Sequence, residues 1–169
     1  MTQRMLMLPA KAGALEVSRL GIGTNNWVDE KNKLPGLIEC AAVAAEFGRV
    51  MLDTAEVYQK GTSEIAVGQA MRDATTRGQL LAATKHFPLP WHFNAKKAVQ
   101  AAVTASLQRL QVPCIDLYYL HMANTAMRPL ITYADALADE VDAGRIKAVG
   151  VSNFSDTQLR GFHERLAAR

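Results

Sequence analysis

Asp53, Lys85 and His121 each stand at the C-terminal end of a short apolar run, and Asn153 follows another such run by two residues. An acid, an ammonium and an imidazole brought together would make a proton-transfer site. Tyr58 lies five residues beyond Asp53, ahead of the next helical pattern, and can reach the same place. An ammonium beside a phenol makes it a better proton donor to a carbonyl oxygen. Asp53 would hold the ammonium and His121 would orient the carbonyl. Taken singly, an Asp, Lys or His after a strand is more often a cap, a turn residue or a solvated loop end. The reading therefore rests on all four converging.

Other candidates carry less. Gly21-Ile22-Gly23-Thr24-Asn25-Asn26 resembles the start of a dinucleotide fingerprint, but Asn26 stands where the third glycine belongs and no long helix follows at once. It reads as a strand end loosened by glycine. His86 and His92, separated by Pro88 and Pro90, lack metal-ligand spacing and read as loop residues, with no metal expected. Trp27, Trp91 and Phe93 would line a pocket mouth or cover core. Cys40 and Cys114, without CxxC spacing, read as core thiols of a reducing compartment.

The elements that must position these residues alternate along the chain. The runs 19–24, 50–53, 80–85, 115–121 and 146–151 are near-continuously apolar, as strands buried on both faces should be. Between them lie helical patterns over 34–47, 64–72, 94–110, 133–143 and 156–168. Asn94 and Thr132 are candidate N-caps, Ser155 with Gln158 forms a capping-box pattern, and Gly144 ends a helix. Strand ends near 24, 53, 85, 121 and 151 recur every 29 to 36 residues, the size of a strand–helix unit in a parallel α/β fold. Strand C-termini in such folds line one edge, where active sites are built. Residues 1–18 fall outside the repeat and suggest a hairpin, 5–8 with 14–17, capping a single domain over 1–169. Ile22, Leu52 and Ala83, or their strand neighbours, are expected on the inward face.

Composition agrees with a folded domain. The 169 residues are 49% apolar and 21% charged, with a net charge of only +3. Like charges never run beyond pairs such as Lys96-Lys97, so no basic stripe for nucleic acid is present. No apolar stretch approaches the roughly 20 residues of a membrane span, and no secretory h-region opens the chain. A cytoplasmic location is expected.

The residues also carry a family resemblance. Leu52-Asp53-Thr54-Ala55-Glu56-Val57-Tyr58, then Gly61-Thr62-Ser63-Glu64 and Gly68, resemble the signature of the aldo-keto reductases. Ala83-Thr84-Lys85, Asp116-Leu117-Tyr118-Tyr119-Leu120-His121 and Gly150-Val151-Ser152-Asn153-Phe154 follow in that family's order. The likeness runs from about Gly21 to the C-terminus. It implies a (β/α)8 TIM barrel, NADPH or less often NADH as cofactor, and reduction of a small aldehyde or ketone. By the same resemblance Asp53, Tyr58, Lys85 and His121 match the catalytic tetrad. Thr24, Asp53, Ser152 and Asn153 match cofactor positions, and Trp27 and His121 match substrate positions. Thr24-Asn25-Asn26-Trp27 departs from relatives that place the Trp directly after the Thr.

A complete barrel takes about 250 residues. By the resemblance, the five units carry the proton-transfer residues, while the adenosine 2′-phosphate site and the substrate-shaping C-terminal loop would belong to three further units. These 169 residues alone are expected to hold the cofactor weakly. They would also expose strand edges through which they self-associate or bind a complementary fragment. The second reading is a non-catalytic half-barrel remnant or interaction module.

Overall fold

The computed structural model describes residues 6–10, 13–28, 33–90, 93–123 and 128–169. Strands β1 (Leu6–Ala10) and β2 (Gly13–Val17) form an antiparallel hairpin with Leu6 opposite Val17. Five strand–helix units follow. They are β3 (Gly21–Gly23) with α1 (Leu34–Ala45), β4 (Val50–Asp53) with α2 (Thr62–Arg72) and β5 (Leu80–His86) with α3 (Ala95–Leu110). Then come β6 (Ile115–Leu120) with α4 (Leu130–Asp142) and β7 (Ile146–Val151) with α5 (Asp156–Ala167). The five strands pair in sequence order, all parallel. Sequential parallel strands with crossover helices are the arrangement of a (β/α)8 barrel, of which five units are present here. No helix among the described residues is long and apolar enough to cross a membrane.

Two apolar layers hold the sheet. On the helix side, Leu52, Ala82, Tyr118, Leu120 and Ile146 pack against Ala41, Ala66, Val67, Val99, Val103, Leu137 and Phe162. On the other side lie Leu81, Ala83, Leu117 and Ala148, with Met51 and Tyr119 alongside. The hairpin residues Leu15 and Val17 cover Leu81. The inward face is therefore Met51, Leu81, Ala83, Leu117 and Ala148, small in its middle and capped by the hairpin. Ile22 and Leu52 face the helices, one pleat position from where they were expected.

Caps form where side-chain chemistry allows. Asn94 accepts from Lys97 N at 3.0 Å, and Ser155 and Gln158 make both bonds of a capping box. Helix α4 starts at Leu130, three residues before the expected Tyr133, because Pro129 takes the N-cap position. Thr132 instead bonds back to the Pro129 carbonyl at 2.8 Å. Cys40 is exposed rather than in the core, because α1 buries Ala41 and Ala45 and the neighbouring position turns outward.

Gly68 shows why one motif glycine matters to the architecture. A Cβ there would lie 2.7 Å and 2.9 Å from the Leu110 carbonyl carbon and Cα, and nearer still to its oxygen. Backbone cannot yield as a side-chain tip can, so Gly68→Ala must push α2 off the end of α3. The expected cost is about 3 kcal/mol, the upper part of the overpacking range. Thermal or denaturant unfolding measures it, and a variant within about 0.5 kcal/mol of wild type would show that this contact does not set the helix spacing.

Candidate active site

Strand register builds the site. Asp53 ends β4 opposite Ala83, whereas Lys85 lies opposite Tyr119, two residues further along β5. His121 follows β6, two residues beyond Tyr119. All three have the pleat parity of the inward layer, so the stagger sets an acid, a cation and an imidazole along one rising edge. Tyr58 arrives from the loop after β4. Thr54 N donates to Ala83 O at 2.8 Å, Glu56 N to Lys85 O at 3.3 Å and Tyr58 N to Ala55 O at 3.0 Å. Beyond Tyr58 the chain turns sharply into α2, with Gln59, Lys60 and Gly61 at φ 50°, 56° and 91°. The left-handed region costs a non-glycine residue about 1–2 kcal/mol. Gln59 Nε2 donating to Asn25 O at 3.1 Å, and Thr62 Oγ1 donating to Gln59 O at 2.9 Å, hold this turn.

Lys85 is the hub. Only 5% exposed, its ammonium donates to the Asp53 carboxylate at 2.9 Å, to the Thr54 carbonyl at 2.7 Å and to the Tyr58 hydroxyl oxygen at 3.4 Å. Three N–H donors thus meet three acceptors. Because Tyr58 accepts from Lys85, its own O–H points elsewhere, free to donate. Tyr119 is the rival phenol on the same face. Its ring centroid lies 5.7 Å from the Lys85 nitrogen, and burial, followed by the Asp53 charge, pushes its hydroxyl above the ordinary tyrosine value. That makes Tyr119 a poorer acid than an ordinary tyrosine.

His121 sits between two aromatic edges, 5.7 Å from the Tyr58 ring and 5.6 Å from the Phe87 ring, both T-shaped. Burial, then the Lys85 charge, push the imidazole below its ordinary value against the smaller opposing pull of Asp53 and Glu56. The ring is neutral at neutral pH. Its Nδ1 is buried without a hydrogen-bond partner among the described residues. A proton there would be a buried donor with no acceptor, so the proton belongs on Nε2. The site presents an Nε2–H donor on a ring packed edge-on against Tyr58.

Ser152 and Asn153 follow β7 at the same edge. Ser152 N donates to Leu120 O at 3.0 Å, and the Asn153 amide donates to His121 O at 2.9 Å and to Ser152 Oγ at 3.0 Å. Asn153 takes φ 58°, a conformation asparagine tolerates better than most residues. Both sit at the strand edge that carries Asp53, Lys85 and His121. Gly150 matters here too, because its missing side chain admits the Tyr119 ring, which would lie 2.5 Å from a Cβ.

Two of the expected site residues are buried. Thr24 is fully buried, its N–H donating to Asp53 O at 2.9 Å and its hydroxyl bonded to Asp53 O and Ser63 Oγ at 3.0 Å each. It fastens the end of β4. Trp27 is 6% exposed and packs in the helix-side core, where its apolar surface is better satisfied than at a pocket mouth.

Of the other aromatic and histidine candidates, Phe93 is 68% exposed, and Trp91 and His92 lie outside the described residues. His86 is no loop residue. It ends β5, is buried, and pairs through Nδ1 with Glu56 at 3.0 Å. A cavity of about 600 Å³ on the helix side is lined by Glu56, His86, Phe87, Phe93, Lys97 and Arg109 among others. No tetrad residue lines it, so it is not the candidate site. Among the described residues no cluster of His, Cys, Asp and Glu could hold a metal ion. Sequence reasoning passed over Glu56 and Phe87. The available signal was an acid in the loop between the tetrad Asp and Tyr, with a histidine directly after the tetrad Lys.

Comparison with known proteins identifies the family. The chain is 37% identical over 162 residues to aldo-keto reductase YhdN of Bacillus subtilis, covering 88% of this chain and 47% of that protein. It is 30% identical to the chloroplastic pyridoxal reductase of Arabidopsis thaliana, covering 94% and 48%. Its fold matches an aldo-keto reductase of Klebsiella pneumoniae in complex with NADPH, with TM-score 0.76 and 28% identity, covering 95% of this chain and 53% of that one. The chain spans about half the length of the curated relatives it matches. The model of the Aldo/keto reductase family matches residues 19–166, and with the tetrad assembled in the family's order, the chain belongs to the aldo/keto reductase family.

Proposed function

We propose that the site reduces an aldehyde or ketone to an alcohol, with NADPH, or secondarily NADH, as the reductant. The observation that carries this is the Lys85 ammonium donating to Tyr58 at 3.4 Å while bound to Asp53 and Thr54, which leaves the Tyr58 proton for an incoming oxygen. The chemistry that a bound NADPH supplies is a hydride to the carbonyl carbon. The chain's own residues do the rest. His121 Nε2–H hydrogen-bonds the carbonyl oxygen and orients it. Tyr58 donates its proton to that oxygen as negative charge develops there, and Lys85 stabilises the resulting phenolate. Asp53 holds the Lys85 ammonium in place. An assembled tetrad favours this reading over a non-catalytic interaction module.

The residues beside the tetrad suit the nicotinamide end of the cofactor. With both Asn153 amide hydrogens directed to His121 O and Ser152 Oγ, its amide oxygen and the Ser152 hydroxyl hydrogen remain for a carboxamide. Steady-state assays of NADPH consumption against a panel of aldehydes and ketones test the reading. Carbonyl-dependent oxidation of NADPH is expected. Asn153→Ala should raise the KM for NADPH by about three- to tenfold, the loss of a hydrogen bond worth about 0.5–1.5 kcal/mol. A folded chain that consumes no NADPH with any carbonyl would contradict the proposal.

A further inference from the structure

Glu56 lies in the loop midway between Asp53 and Tyr58. A single carboxylate oxygen, Oε1, accepts from His86 Nδ1 at 3.0 Å and from Phe87 N at 2.6 Å. His86 and Phe87 directly follow Lys85 along the chain. The main chain makes a third tie, Glu56 N donating to Lys85 O at 3.3 Å. The segment that delivers Tyr58 is thus clamped to the segment that delivers Lys85, from the side of the sheet opposite the reacting groups.

Tyr58 needs such a clamp. It sits on no helix or strand interior, and the left-handed turn at Gln59–Gly61 begins immediately after it. Strained segments keep one conformation only where their surroundings over-determine them. The Lys85–Tyr58 contact, at 3.4 Å, is already long, so a small shift of the loop breaks it. Phe87 extends the clamp to the third member, because its ring packs edge-on against His121 at 5.6 Å. Burial pushes the Glu56 carboxyl up, but the His86 hydrogen bond, that ring's charge, the Phe87 N–H and Arg109 together hold it below the usual carboxylate value. It is ionised at neutral pH, which assigns the proton of the pair to His86 Nδ1.

We propose that Glu56, through His86 and Phe87, is the positioning residue that sets the mutual placement of Tyr58, Lys85 and His121. The proposal rests on the tetrad reading above, and the test separates the two. Glu56→Gln keeps an oxygen acceptor for both donors, whereas Glu56→Ala removes it. Nuclear Overhauser contacts between the Tyr58 and His121 rings, measured without cofactor or substrate, report placement independently of activity.

The expected result is that these contacts persist in wild type and Glu56→Gln and vanish in Glu56→Ala. In Glu56→Ala, kcat should fall by up to about 10²-fold with the KM for NADPH unchanged, as misplacement by an ångström can do, while Glu56→Gln stays within about threefold of wild type. If Glu56→Ala does not fold, Glu56→Asp, one methylene short of both donors, serves the same comparison. Ring contacts and kcat unchanged in the acceptor-deleting variant, or equal losses in Glu56→Gln and Glu56→Ala, would overturn the proposal. Ring contacts that respond as expected in a chain without turnover would refute the reductase reading and leave the positioning role standing.

Discussion

Tyr58→Phe is expected to lower turnover by about 10²-fold or more while leaving the fold unchanged, the loss that follows removal of a general acid. The ring stays, so its edge-on contact with His121 at 5.7 Å and its packing under the Lys85 ammonium, 4.8 Å from the ring centroid, survive. Only the hydroxyl is lost, and with it one of the three acceptors of Lys85. Asp53 and Thr54 still hold that ammonium, so the variant should unfold at nearly the wild-type temperature. Parallel measurement of kcat and of thermal unfolding separates chemistry from folding. Undiminished turnover would assign proton donation to another group, such as Tyr119, whose ring centroid lies 5.7 Å from the Lys85 nitrogen.

Arg109→Ala should cause the largest loss of stability, about 3–5 kcal/mol. Glu64 is fully buried on α2, where its carboxylate accepts from Thr84 Oγ1 at 2.7 Å and from Arg109 Nε at 2.5 Å. Without Arg109 that carboxylate keeps one neutral hydrogen bond and no counter-charge, and burying an unpaired charge is what makes such truncations costly. For a domain of this size the melting temperature should drop by about 10 °C or more. The double variant Glu64→Leu/Arg109→Met, which removes both charges and keeps apolar bulk, should recover much of the loss. A single Arg109→Ala variant as stable as wild type would mean that Glu64 is hydrated or protonated, and that the α2–β5–α3 junction does not depend on the pair.

Both predictions draw on residues whose types were legible in the sequence, though not all their partners were. β4 and β7 have the boundaries expected, because Val50–Asp53 and Ile146–Val151 are near-continuous apolar runs closed by polar residues. Asp53, Lys85 and His121 could be placed on one edge because parallel units put every strand C-terminus there. What the pattern of residues does not encode is the face each neighbour takes and the atoms it meets. Glu56 in isolation looks like a solvated loop acid, and it becomes a clamp only because register sets His86 and Phe87 opposite it.

Trp27 and Thr24 are the converse. Both have the chemistry of a ligand-facing residue, but Trp27 gains more by filling the helix-side core and the Thr24 hydroxyl by closing the end of β4. The Nδ1 of His121, without a hydrogen-bond partner among the described residues, depends on what surrounds a buried atom and leaves no trace in residue spacing. The inward layer shows the same limit. Short strands such as Gly21–Gly23 offer too few residues to fix pleat parity, so the expectation left open Ile22 and Leu52 or their strand neighbours, and it is the neighbour Met51 that turns inward.

The central claim is that this edge of the sheet donates a proton to a carbonyl oxygen while its carbon receives a hydride. Reduction with NADPH deuterated at the transferable C4 position, followed by mass spectrometry of the product alcohol, tests it most directly. Deuterium is expected on the former carbonyl carbon in the wild-type product, with the hydroxyl proton drawn from exchangeable hydrogen and the yield collapsing in Tyr58→Phe. Product alcohol carrying no deuterium at that carbon, or equal yield from Tyr58→Phe, would contradict it.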